Sequence, residues 1–177
     1  MIEGFLVALA EHPNDSINAP YRGIDRMVPF NQERWDGGFD HPTMSWEFVD
    51  ENLLFRSLAL AREAVRRYQA AGTGALEVLY VTGIEPGDSL PSGTTRGGIT
   101  LGFDVAGPAP FYSVVGDMPP GLRAAWLPQL NKYGLLADLD DAQAFRDVYQ
   151  ASQNRDQRLL IWRVAMVPSE DADGVPE

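Results

Sequence analysis

From Glu51 to Ala71 the chain reads as one amphipathic helix, and every segment with strand character lies outside it. Leu54, Leu58, Ala61, Val65 and Tyr68 recur at steps of four, three, four and three residues. That spacing gathers apolar side chains on one side of a helix. Arg62, Glu63, Arg66 and Arg67 fall largely on the other side, with Glu63 four residues ahead of Arg67 in the order that favours an ion pair. Asp50 is the expected N-cap and Gly72 the expected stop. A helix with one apolar face needs an apolar surface to lie on. The flanking segments supply strands for it.

Strand character is read at Phe5–Ala10, Thr43–Val49, Ala75–Ile84, Ile99–Val105, Phe111–Val115 and Arg158–Val167. Glu85-Pro86-Gly87-Asp88 and Gly107-Pro108-Ala109-Pro110 are turns. Strands joined so closely pair antiparallel. The last run is apolar on both faces, which predicts a central strand. Pro119-Pro120 opens a helix with Leu122, Ala125 and Trp126 on one face. Pro128 interrupts it, Leu130 and Tyr133 continue it, and Gly134 ends it. Asp138 or Asp140 caps a further helix over Asp141–Ser152, with Phe145, Val148, Tyr149 and Ser152 inward. The expected fold is α+β: a mainly antiparallel sheet of five or six strands, packed by one long helix and the C-terminal helices.

At 177 residues the chain fits one domain, expected over residues 1–167. A domain of this size buries roughly 70% of its unfolded surface and needs neither disulfide nor metal to hold it. The tail, 168–177, holds four acids and no base and is expected to be disordered. Residues 11–42 form an irregular stretch with four prolines and the aromatics Tyr21, Phe30, Trp35 and Phe39. Irregular segments that long are often functional.

The formal net charge is −11. Such a surface repels nucleic acid and anionic lipid and favours basic partners. No apolar run reaches the ~20 residues that span a bilayer. The run Phe5–Ala10 follows only Glu3, without the basic residues of a signal peptide, and reads as a first strand. The absence of cysteine excludes disulfides, thiolate metal sites and Cys nucleophiles. A cytoplasmic location is expected.

The search for chemistry returns little. His12 and His41 are the only histidines, and neither stands in a metal-ligand spacing. No metal and no cofactor is expected. Gly-x-Ser-x-Gly and Ser-x-x-Lys nucleophile motifs are missing. Ser92-Gly93-Thr94-Thr95-Arg96-Gly97-Gly98 has the glycines, hydroxyls and Arg to wrap an anion. It lacks the Walker Lys and a clear following helix, so a loop between strands explains it as well. An anion- or small-ligand-binding enzyme with Thr94, Arg96 and Asp104 at its site is the alternative reading.

Three stretches of the C-terminal half carry a resemblance. They are Leu101-Gly102-Phe103-Asp104-Val105, Phe111-Tyr112-Ser113 and Leu130-Asn131-Lys132-Tyr133-Gly134-Leu135. They fall between residues 101 and 135, and in them the chain resembles immunity proteins of bacterial polymorphic toxin systems. The resemblance implies a non-enzymatic acidic protein that neutralises a basic partner by occluding a toxin domain. Acidic residues would steer association with a basic cleft. The candidate contacts are Glu85, Asp88, Asp117, Asp138, Asp140 and Asp141, with Trp35 and Tyr112 as anchoring aromatics.

Overall fold

The computed structural model describes residues 2–9, 48–70, 72, 75–90, 98–108, 113–116, 118–153 and 157–167. Its elements run β1 (Ile2–Leu9), α1 (Leu58–Ala70), β2 (Leu76–Ile84), β3 (Ile99–Ala106), α2 (Pro120–Trp126), a 3₁₀ turn (Leu127–Gln129), α3 (Leu139–Gln153) and β4 (Leu160–Met166). Among the described residues the strands form one four-stranded sheet in the order β1-β2-β4-β3, antiparallel throughout. The α+β class and the antiparallel pairing hold. The strand number of five or six does not. Thr43–Glu47 lie outside the described residues, and Val49 makes only an isolated bridge to Phe55. Ser113 bridges Ala106, after which Val114–Gly116 turn away. Val114 and Val115 are apolar because the core buries them, not because they extend a strand.

The last strand is central, as its composition predicts. Leu160 through Ala165 are all buried, between β2 on one side and β3 on the other. Successive residues of a strand face opposite sides. Leu79, Val81, Trp162 and Val164 therefore share one face, joined by Leu6 and Leu101. Leu54 and Leu135, from two loops, cover that side. Val78 and Ile84, six residues apart on β2, share the other face. There α1 packs over Val7 and Val78, and α3 packs over Ile84, Phe103, Val105 and Ile161.

The helix expected from Glu51 begins only at Leu58. Asp50 does act as a cap, but of a turn. Its carboxylate accepts from Asn52 N at 2.8 Å and Leu54 N at 3.0 Å. Leu53 sits at φ 64°, a left-handed conformation no helix continues through. Phe55 then bridges both Phe5 and Val49. Ser57 provides the start, accepting Leu60 N on its hydroxyl and Ala61 N on its carbonyl. The sheet is thus packed by α1 and the 15-residue α3 rather than by one dominant helix.

Ala61, Ala64 and Tyr68 form the buried stripe of α1. Burial pushes the Tyr68 hydroxyl above its ordinary pKa of 10.0. The folded state therefore holds that proton to a higher pH than the unfolded chain does. Stability is expected to be independent of Tyr68 below pH 10 and to fall as pH rises above it. Tyr68→Phe should flatten that alkaline loss in urea melts run from pH 8 to 11.5. An unchanged slope would show that Tyr68 does not set it.

The helix expected to continue through Leu130 and Tyr133 is instead a closed loop. Leu130 bridges Leu136, and Asn131 N donates to Leu135 O at 2.8 Å. The Asn131 side chain fills the loop, accepting Tyr133 N and Leu135 N on Oδ1. Its Nδ2 reaches across to Leu101 O at 2.8 Å. Leu136 exchanges two backbone hydrogen bonds with Phe103 at 2.9 Å each. The outer edge of β3 is therefore taken up by this chain's own loops. An exposed sheet edge invites strand addition, and at Leu101–Val105 this one is already occupied.

Candidate functional site

The expected contact residues divide into two groups and a remainder. Trp35, Tyr112 and Asp117 lie outside the described residues, as do Thr94 and Arg96. Glu85 and Asp88 sit in the turn that follows β2, where Asp88 N donates to Glu85 O at 3.0 Å and Gly87 takes φ 86°. Pro86 and Gly87 suit that turn's two central positions. Glu85 is not a free acid, because Arg158 pairs with it. Asp138, Asp140 and Asp141 begin α3. Asp138 Oδ1 accepts Asp141 N at 2.9 Å, so Asp138 is the N-cap. No hydrogen bond or ion pair among the described residues links the two groups.

Asp140 is exposed and Asp141 half-buried, and neither forms an ion pair among the described residues. Their place in the first turn complements the helix dipole. Further along, Arg146 is the single cation of α3, and it is turned inward at 7% exposure. Its Nε and Nη2 both donate to Asp147 Oδ1, at 3.0 and 2.6 Å, while Nη1 is buried without a partner. The Asp147 charge is thus met by Arg146, and the acids of α3 without an ion pair among the described residues are those of its first turn.

Helix α1, on the same side of the sheet, has the opposite sign. It carries Arg62, Arg66 and Arg67 against Glu63. Arg67 Nε bonds Glu63 at 2.8 Å and Arg66 Nη1 approaches it at 3.0 Å. The Arg67 hydrogen bond, then the Arg66 charge, hold the Glu63 carboxyl below its usual range. Arg67 also lies 5.0 Å over the Phe48 ring. Arg62 and Arg66 line an open groove of about 420 Å³ with Val65, Leu76 and Val78. Its shallow, mixed lining is that of a solvated helix flank.

Asp104, a candidate for the alternative ligand site, is fully buried. Its Oδ1 accepts Val105 N at 2.7 Å and the Ser113 hydroxyl at 2.5 Å, and Ser113 Oγ accepts Gly116 N at 2.8 Å. The carboxylate thus ties the segment after β3 to the strand. Asp104→Ala is expected to cost about 3 kcal/mol by leaving these donors unpaired. Asp104→Asn, which keeps an acceptor, should recover part of that in urea denaturation. Equal losses in both variants would argue that the charge itself is what matters.

The stretches that carry the resemblance meet around β3. Asn131 binds Leu101 O, Leu136 bridges Phe103, and Ser113 binds Asp104. Phe111 and Tyr112 lie outside the described residues. Among the described residues no group of three or more His, Asp or Glu is placed to hold a metal ion, and no helix is long and apolar enough to cross a membrane. No family model, no curated protein and no solved structure matches the chain.

What the sequence reading missed is the outer face of α3. Val148, expected inward, is 43% exposed, and Ser152 is exposed as well. Ala142, Phe145 and Arg146 are the residues this helix buries. The period was right and the face was rotated. The alanines at 144 and 151 were the available signal, since with Val148 they repeat at helical spacing.

Proposed function

We propose that this chain is a non-enzymatic acidic protein that binds and neutralises a basic partner protein, in the manner of an immunity protein occluding a bacterial toxin domain. The observation that carries this reading is the acidic start of α3. Asp140 and Asp141 stand there without ion pairs among the described residues, and the one cation of the helix is buried and pairs with Asp147. Uncompensated charge on a rigid helix raises the rate of encounter with a surface of opposite sign. The resemblance around β3 supplies the kind of partner. Blocking a basic cleft requires no catalytic group, only shape and charge held in place.

Growth of cells that express the protein encoded beside this chain's gene, with and without the chain, tests the reading. The expected result is growth arrest relieved by co-expression. A neighbour that is harmless, or an arrest the chain does not relieve, would count against it.

A further inference from the structure

We infer that the acidic segment 168–177 folds back on α1 and seats its carboxylates against Arg62 and Arg66, an inference independent of the proposed function. Charge is the first ground. α1 carries three arginines against one glutamate, which makes it the most basic described element of a chain whose formal net charge is −11. Glu63 is shared between Arg66 and Arg67, so a single carboxylate meets two guanidiniums, and the Arg66 side chain stays 71% exposed. Segment 168–177 holds the opposite surplus, with Glu170, Asp171, Asp173 and Glu177 and no base.

Position joins the two. β4 ends at Met166, and Val167 N then donates to Val78 O at 3.2 Å. Val167 packs against the apolar cluster beneath α1, as do Val65 and Leu76. Val65, Leu76 and Val78 also line the groove of about 420 Å³ that Arg62 and Arg66 complete. The chain therefore leaves the sheet beside this groove. The flank of α1 agrees. Arg67 lies over Phe48, whose carbonyl accepts Arg56 N beside the Phe55–Phe5 bridge, so that flank faces β1. Arg62 and Val65 project from the opposite flank, toward β4. Glu170 is three residues past Val167, within about 11 Å along an extended chain. In an extended segment Asp171 and Asp173 face the same way about 7 Å apart. That matches the separation of Arg62 and Arg66, about 6 Å along the helix.

The groove is too open to enclose a small molecule, but an extended segment can lie along it. An external anion competes poorly, because a short tether gives the tail an effective concentration in the millimolar range. Nucleic acid is repelled by the net charge of the chain. With the tail seated, the basic flank of α1 is neutralised by the chain's own acids.

The test uses the full chain. It has no cysteine, so Ala172→Cys carries a single nitroxide spin label. Paramagnetic broadening of amide signals then reports which residues the tail approaches. The expected result is strong broadening from Arg62 to Arg66 and none at Lys132, in the loop beyond β3. Arg62→Gln/Arg66→Gln, and separately Glu170→Gln/Asp171→Asn/Asp173→Asn, should each lower the ratio of docked to undocked tail about tenfold. The tail variant leaves every described residue native, so a loss there does not come from misfolding of the body. Broadening that spares α1, or that either neutralised variant leaves unchanged, overturns the inference. So does broadening passed from spin-labelled chains to isotope-labelled, label-free chains in a mixture, which would make a second copy the occupant. Inorganic phosphate that shifts the Arg62 and Arg66 signals while the tail spares α1 would give the groove to an external anion instead.

Discussion

Replacing Gly102 with alanine is expected to cost on the order of 3–4 kcal/mol, the range of a strained backbone combined with a steric clash. Gly102 sits where the register of β3 against β4 shifts, at φ 149°. A side chain there is strained before any contact is considered. A Cβ would also stand 2.7 Å from Leu136 O and 2.8 Å from both Asn131 Nδ2 and Leu135 Cβ. Leu136 O is backbone, so the loop must move bodily. Moving it breaks the paired bonds between Phe103 and Leu136 and draws Asn131 away from Leu101. Gly87→Ala is the matched control. It also has positive φ, 86°, but nothing lies within 4 Å of its would-be Cβ. It should cost only about 1–2 kcal/mol, the left-handed strain alone. The difference in urea midpoints between the two variants measures how tightly the 130–136 loop is pressed on the sheet. Equal costs would mean that the loop is not held there.

Trp162→Ala is expected to lose about 3–5 kcal/mol, the range for deleting a large aromatic from a core. Trp162 is the largest fully buried side chain among the described residues, on the central strand. Its indole Nε1 donates to Gly107 O at 3.0 Å, so deletion also strands that carbonyl. Gly83, directly across on β2, makes the space for the ring. A Cβ at Gly83 would lie 3.3 Å from two indole carbons and 3.2 Å from Leu160 Cδ1. The two sites should therefore couple. Gly83→Ala is expected to destabilise the wild type, and to be neutral or stabilising once Trp162 is alanine. Additive costs in the double mutant would show that the ring does not depend on the glycine.

The strands were legible where apolar runs end at turn residues, as at Ala75–Ile84 and Ile99–Val105. Their order was not. Insertion of β4 between β2 and β3 depends on pairing between segments far apart in sequence, such as Val81 with Val164, and no local pattern encodes it. Asp138 and Gly87 were readable because a cap and a turn are local chemistry. Asp50 misled for the same reason. Its capping signal was real but served a turn, and Leu53 at positive φ is invisible to propensity. Val114 and Val115 read as strand because burial and extension select the same side chains. The acids at the start of α3 were visible as candidates. The exposed stripe was not, because Phe145, Val148, Tyr149 and Ser152 are also helically spaced and only the inward turn of Arg146 fixes which face is buried.

The most direct test of the central claim is a pull-down with the full chain as bait in lysate of its native host, washed at low and at high salt. Attraction between exposed charges is screened within about 3 Å at 1 M salt, against about 10 Å at 0.1 M. The account predicts one predominant basic protein retained in the low-salt wash and released in the high-salt wash. A partner that is acidic, one held equally at both salts, or none at either would contradict it.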